Sequence, residues 1–152
     1  MNTRRMLPVL LLLITVLACL AQRPEAGATS PVTVQVRDTS DDASELALLM
    51  RTMANHTDSV KAALKRDGKL PPKPDVSRLL TATPTEGMHI DPITYPTFSA
   101  DYVKKLEALY KAPKKERPQA YNALVQSCAN CHGVHCPGPL LRIKKMYVAL
   151  EE

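Results

Sequence analysis

The sequence predicts a mostly α-helical domain, a small helical bundle with one long proline-rich loop. From Asp41 onward, several segments repeat apolar residues every three or four positions, the spacing of one face of an α-helix. Between the first two of these segments, prolines at positions 71, 72, 74, 84, 92 and 96 interrupt any helix, because proline lacks a backbone N–H and has a fixed φ. A chain of 152 residues is expected to hold one small domain with a single core.

Residues 1–21 are predicted to be a secretory signal peptide. Arg4 and Arg5 precede an apolar run over residues 6–20. This run is too short, and too soon followed by polar residues, for a transmembrane helix. We therefore expect an exported protein that is periplasmic, or membrane-anchored and facing the periplasm.

Two cleavage sites are compatible with this leader. Signal peptidase would cut after Ala21, whereas the lipobox-like stretch Val-Leu-Ala-Cys would make Cys19 a lipid-bearing first residue that tethers the protein to a membrane. Both alternatives stay open. Residues 22–40, rich in Pro, Ala, Thr and Ser, are interpreted as a flexible arm, and residues 41–152 as the folded domain.

The composition argues against one class of partner and leaves the core short of large side chains. Lys and Arg number 20 against 15 Asp and Glu, a formal net charge of +5. No basic stripe is interleaved with aromatic residues, so nucleic acid is not expected as a partner. The chain has no Trp, one Phe and five Tyr. Because aromatic side chains usually dominate a small core, we expect something else to fill part of this one.

The first predicted helix begins near Asp41 and ends at about Gly68. Residues 39–42 are predicted to cap its N-terminus, and Gly68 its C-terminus. His56 stands among polar neighbours and is predicted to lie at the surface. The apolar face of this helix is formed by Leu46, Met50, Met53, Thr57, Val60 and Leu64.

Two further long helices and a short terminal one are predicted. Ser99 would cap the second, which Pro113 ends, and the third would cover residues 114–132 with Pro118 in its first turn. A short helix is also expected around residues 76–81. The residues predicted to share one face are Val103, Leu106, Leu109 and Tyr110 in the second helix, Tyr121, Leu124, Val125, Cys128 and Cys131 with His132 in the third, and Ile143, Met146, Tyr147 and Leu150 in the terminal one.

Reactive residues are concentrated in the run SCANCHGVHCPGP, residues 127–139. Its Cys128, Cys131 and His132 match Cys-X-X-Cys-His, the attachment signature of c-type haem. Two thiols three residues apart lie on one face of a helical turn, so each can form a thioether to a haem vinyl group while the next imidazole binds the iron from the proximal side. One covalently attached haem c would also supply the apolar bulk that the aromatic-poor core lacks.

Other interpretations of the same run stay open. A zinc site could use Cys128, Cys131, His135 and Cys136, although no distant second pair of ligands closes a loop around the metal. A redox disulfide between the first two cysteines is disfavoured because they lie at the C-terminal end of a helix, where the dipole does not lower a thiol pKa. Structural disulfides are a further alternative, and Cys136 is then an odd thiol without an assigned role.

On this motif and its position near the C-terminus, the chain resembles the cytochrome c′ superfamily. That resemblance implies a helical bundle whose last long helix carries the haem signature and whose first helix supplies the distal ligand. The stretch LALLMRTMANHTDSVKAAL resembles the distal helix and implies Met50 as the distal iron ligand, with Met53 as the alternative. The chain departs from the family in its proline-rich middle, where a second bundle helix is hardly visible, and at GVHCPGP, which interrupts the helix after His132.

These features predict an exported monohaem c-type cytochrome, not an enzyme, that carries single electrons between periplasmic or membrane-bound redox partner proteins. One alternative is a five-coordinate cytochrome c′-type protein that binds nitric oxide or carbon monoxide at an open distal site. The other is a non-haem zinc-binding lipoprotein. Met88 and His89 in the long loop offer a second route to ligation, and Arg142 and its neighbouring lysines could meet haem propionates or a partner.

Overall fold

The structure, a computed structural model, describes residues 43–150. The predicted signal peptide, Cys19 and the flexible arm lie outside these residues. Within them the protein is mostly helical and has no strand, which confirms the predicted class. No helix in this part of the chain is both long and apolar enough to cross a membrane. The helices are α1 (Glu45–Lys65), α2 (Thr94–Lys111), α3 (Arg117–His135) and α4 (Leu140–Lys144), with a 3-10 turn at Lys114–Glu116.

Helix α1 begins at a serine cap and ends in a left-handed turn. The Ser44 hydroxyl accepts a hydrogen bond from the Ala47 N–H at 3.2 Å, so the predicted cap within residues 39–42 is wrong. At the other end, Asp67 takes a positive φ of 52° and the Gly68 N–H donates to the Ala63 carbonyl at 2.9 Å. These bonds occupy carbonyls that the helix itself leaves free. Gly68 therefore contributes its N–H to the C-terminal cap, while Asp67 adopts the left-handed backbone conformation.

Helix α2 begins five residues before the predicted cap at Ser99. The Asp91 carboxylate accepts hydrogen bonds from the backbone N–H groups of Ile93 at 3.0 Å and Thr94 at 2.7 Å. Pro96 then falls in the first turn, where a backbone N–H has no helical partner and proline is tolerated. Ser99 is consequently a buried residue inside the helix, and the prediction that it caps the helix is wrong.

Helix α3 contains the cysteine motif and extends beyond it. Pro118 lies in its first turn, as predicted, and the helix continues through Gly133 to His135. The prediction that the helix is interrupted after His132 is therefore wrong by about one turn. The terminal helix α4 is only five residues long, and residues 76–81 form successive turns instead of the expected short helix.

The core lies between α3 and the helices around it. Helix α3 packs most extensively against α2, and also against α1 and α4. The Tyr121 hydroxyl donates to the Met146 carbonyl at 2.9 Å and so ties α3 to the chain after α4. The fully buried side chains are Thr57, Val60, Leu109, Tyr121, Leu124 and Val125. In α2 the apolar face was predicted correctly at Leu106 and Leu109, but Val103 is exposed.

The proline-rich segment between α1 and α2 contains no helix and is held to the bundle by tyrosine hydroxyls. Tyr110 of α2 donates to the Pro71 carbonyl, and Tyr95 donates to the Leu79 carbonyl at 2.8 Å. The Tyr110 oxygen also lies 2.7 Å from Nε2 of His56, which is buried. The prediction that His56 is a surface residue is therefore wrong, because a partner 54 positions away covers it.

Candidate functional site

An apolar cavity of about 290 Å³, partly open to solvent, lies between α1, α3, α4 and the long loop. Its volume is close to the lower limit of ligand pockets, roughly 300 Å³. Among residues 43–150, every methionine and every cysteine borders this cavity, together with two of the histidines. These residues are Met50, Met53, Met88, Met146, Cys128, Cys131, Cys136, His132 and His135.

The two motif cysteines face this cavity as neutral thiols. Burial raises the pKa of Cys128 to about 12 and also raises the pKa of Cys131. Both residues lie in the C-terminal half of α3, where the helix dipole gives a thiolate no stabilisation. A nucleophilic dithiol needs the opposite environment, so this arrangement does not favour a thiol-disulfide oxidoreductase.

His132 is held through one ring nitrogen and leaves the other available. Its Nδ1 lies 2.9 Å from the Cys136 carbonyl oxygen. Because a carbonyl only accepts hydrogen bonds, Nδ1 carries the proton of the neutral imidazole and Nε2 keeps its lone pair. Within the described residues Nε2 makes no hydrogen bond, while the ring borders the cavity. Metal-binding histidines are typically oriented by such a bond from the second nitrogen to a backbone carbonyl.

Both predicted distal methionines lie on α1 and border the same cavity as the motif. Met53 is 7% exposed, whereas Met50 is half-buried. Met88 in the long loop also borders the cavity, but His89 is exposed and does not. The structure thus brings together Met50, Met53 and the three motif residues without selecting one methionine as a ligand.

A second, smaller cavity of about 40 Å³ adjoins the first. It contains the buried Tyr102, whose hydroxyl makes no hydrogen bond within residues 43–150. Burial raises the pKa of this tyrosine well above its ordinary value. The two cavities are separated by side chains that border both of them, namely Met50, Met53, Tyr95, Cys128, Cys131 and His132.

His135 is packed between two aromatic rings at the edge of the main cavity. Its ring meets those of Tyr95 and Phe98 edge to face, with centroid distances of 5.6 and 5.7 Å. Its Nε2 lies 3.4 Å from the Thr94 hydroxyl, which donates to the Asp91 carboxylate at 2.9 Å. The hydrogen bonds from Thr94 lower the pKa of that carboxyl group. Sequence reasoning missed this contact, since only tertiary packing brings the start of α2 to the end of α3.

Positive charge at the cavity comes from two arginines. Arg142, which was predicted, borders the cavity and pairs with Asp58 at 2.9 Å. Arg51 also borders it and was not predicted, because it stands between the apolar positions of α1. Both partners of the Arg142 pair are more than half exposed, and such surface pairs contribute little to stability. Arg142 is therefore free to exchange partners at low cost.

The ligand set expected for zinc does not converge. Within the described part of the chain, no three His, Cys, Asp or Glu side chains lie close enough to hold a metal ion. The zinc alternative built on Cys128, Cys131, His135 and Cys136 thus has no supporting geometry. All three cysteines there are free thiols, and Cys136 contributes its carbonyl oxygen to the orientation of His132.

Comparison of the chain with protein-family models, curated proteins and solved structures found no match.

Proposed function

We propose that this protein is a c-type cytochrome that carries single electrons between redox partner proteins and is not an enzyme. The main supporting observation is His132, whose Nδ1 is bound to the Cys136 carbonyl while Nε2 stays available beside two thiols. A proximal haem ligand requires this arrangement, because the second hydrogen bond fixes the tautomer and the orientation of the ring.

The residues around the main cavity fit one haem c. Cys128 and Cys131 would attach it through thioethers, and His132 would be the proximal axial ligand. Apolar side chains from α1, α4 and the long loop would cover the macrocycle, including Leu46, Ile90 and Ile143. When bound, the haem supplies the iron that accepts and gives up the electron. The chain would hold the imidazole through the Cys136 carbonyl and would offer the thioethers of Met50 and Met53 from α1.

Met50 stays the proposed distal ligand, with Met53 as the alternative. Met50 is the less buried of the two, so its side chain is less committed to the packed core. A methionine at this position raises the reduction potential, which suits electron transfer. Arg51 and Arg142 border the cavity and could pair with propionate groups. Export, residence in the periplasm and a lipid tether at Cys19 belong to the same proposal and concern residues outside the described part.

A second candidate function, binding of nitric oxide or carbon monoxide, is supported by the smaller cavity. Its volume of about 40 Å³ lies against both methionines and His132. Such a space can hold a molecule about the size of a water or a diatomic gas. If neither methionine binds the iron, this space would serve a five-coordinate site.

A visible spectrum of the chain made with haem-attachment machinery tests the first proposal. We expect a haem band that survives denaturation and is lost in the Cys128→Ala, Cys131→Ala double variant, with Cys136→Ala as the matched control that keeps it. A protein without a covalent haem band would refute the proposal. His132→Ala should retain the attached haem but lose the native axial ligation.

The distal ligand is tested by Met50→Leu and Met53→Leu, which conserve volume. We expect one of the two to convert low-spin iron to high-spin iron and open it to carbon monoxide. A wild-type spectrum that is already high-spin and responds to carbon monoxide would favour the gas-binding candidate.

A further inference from the structure

Sulfur donors are unevenly distributed in the described domain. The four methionines and three cysteines of residues 43–150 come from α1, the long loop, α3 and the segment around α4, yet all border one cavity. Methionine commonly fills irregular gaps in a core. Here, however, the gap is open, and Met50 and Met88 are only partly buried. Core packing therefore accounts for Met53 and Met146, while Met50 and Met88 lie at the edge of the core beside the open space.

Donor atoms from two helices border both cavities. Met50 and Met53 of α1 and Cys128, Cys131 and His132 of α3 border both cavities. Thioethers from α1 and thiols from α3 therefore face the same space. An ion there could be reached from two helices.

From this arrangement we infer that, before haem is attached, the cavity binds one Cu(I) ion through a cysteine thiolate and the thioethers of Met50 and Met53. Thioether and thiolate are soft ligands, which suit a soft ion such as Cu(I). Binding replaces the thiol proton by the metal: Cu(I) and the protein thiol give a copper thiolate and release one proton. No oxidant or reductant takes part in this step.

Charge favours this ligand set in an apolar cavity. One thiolate neutralises the single positive charge of Cu(I), and thioethers add no charge. The complex is therefore neutral, which avoids the large cost of an unpaired charge in apolar surroundings. Zn(II) would keep a net positive charge with the same ligands, and no three His, Cys, Asp or Glu side chains of the described residues meet to complete a zinc site.

This copper site goes beyond the proposed electron-transfer function and does not depend on it. The two share Cys128 and Cys131, so a chain that holds Cu(I) on a motif thiol cannot form both thioethers at the same time. Copper would then compete with haem attachment. The haem spectrum and copper binding are measured on separate preparations, and either can fail without the other.

The test uses the full chain produced without haem-attachment machinery, kept reduced and anaerobic, and titrated against a Cu(I)-bicinchoninate complex. We expect the protein to withdraw one equivalent of Cu(I). The Met50→Leu, Met53→Leu double variant retains both thiols and should bind Cu(I) at least about tenfold more weakly, because even changes outside the ligand shell cost about that much. His89→Asn, an exposed residue outside both cavities, is the control and should bind as the wild type does.

Unchanged copper affinity in the methionine double variant would overturn this site, because the thiols alone would then account for binding. Failure of the wild-type protein to withdraw copper would also overturn it. Circular dichroism checks that each variant keeps its helices. If the double variant does not fold, the single variants Met50→Leu and Met53→Leu decide: weaker Cu(I) binding in either one supports the site, and unchanged binding in both refutes it.

Discussion

Helices α1 and α3 close against each other at one end of the domain and separate at the other. At the closed end, Val60, Leu109, Tyr121, Leu124 and Val125 are all less than 2% exposed. At the cavity end, residues 46–57 of α1 and 128–136 of α3 border an open space of about 290 Å³. The side chains between these helices are therefore tightly packed at one end and leave an open cavity at the other. The closed end is fully packed, and the cavity end has room for an added group.

The largest loss of stability is expected for Leu124→Ala. This side chain is fully buried at the closed end, and its loss should cost about 3–4 kcal/mol of unfolding free energy because the packed surroundings leave a void. Leu46→Ala at the cavity end should cost closer to about 2 kcal/mol, since its neighbours already border open space. Denaturant unfolding measures both. Equal losses would contradict the contrast between the ends.

Enlarging an alanine to leucine should lower the stability at the closed end but not at the cavity end. Ala63 is 3% exposed at the closed end, and Ala63→Leu should destabilise the protein by about 1–3 kcal/mol through overpacking. Ala54 borders the cavity on the same helix, so Ala54→Leu should leave the haem-free chain equally stable or more stable by up to about 1 kcal/mol. This prediction is tested by comparing the melting temperatures of the two variants with that of the wild type. A destabilising Ala54→Leu would mean that the cavity has no usable space.

Acid should weaken the fold through His56. Burial lowers the pKa of this histidine, and a proton on its Nδ1 would find no acceptor among residues 43–150. The unfolded chain therefore takes up this proton at a higher pH than the folded one. Stability should be complete above about pH 6.5, the ordinary histidine value, and fall below it by up to about 1.4 kcal/mol per pH unit. Urea unfolding from pH 7.5 to 5 measures the slope, which His56→Gln should reduce; an unchanged slope would assign it to other groups.

The smallest expected difference in stability is between the loss of one buried tyrosine hydroxyl and the loss of another. Tyr121 donates to the Met146 carbonyl, so Tyr121→Phe should cost about 1 kcal/mol and leave that carbonyl unpaired. The Tyr102 hydroxyl beside the smaller cavity has no such partner in the described residues, so Tyr102→Phe should be neutral or stabilising by up to about 1 kcal/mol. Thermal unfolding of the pair checks this. A destabilising Tyr102→Phe would reveal a bound molecule that accepts its hydrogen bond.

Periodicity predicted the buried faces of the long helices well but their ends poorly. Tyr121, Leu124 and Val125 are buried as expected, because an amphipathic stripe depends only on local spacing. The predicted start of α2 was wrong for two reasons. Asp91, which precedes the helix, caps its N-terminus, and the first turn of the helix tolerates Pro96. The burial of His56 depends on Tyr110, which local sequence does not reveal.

The candidate site was predictable in its motif and less so in its surroundings. Cys128, Cys131 and His132 follow from their spacing, and Met50 and Met53 from their place on the first helix. Met146 and His135 reach the cavity only because α4 and the start of α2 pack beside the end of α3. Such contacts join distant parts of the chain and leave no local pattern.

The bond between His132 and the Cys136 carbonyl has a consequence for mutational scanning. The accepting atom belongs to the main chain, and every residue type supplies it. Replacing Cys136 by serine, alanine or valine would leave that acceptor in place, so a scan would score the position as tolerant. Residue 136 can thus vary freely in side chain while its backbone keeps the imidazole oriented, provided that the short turn after α3 retains its length.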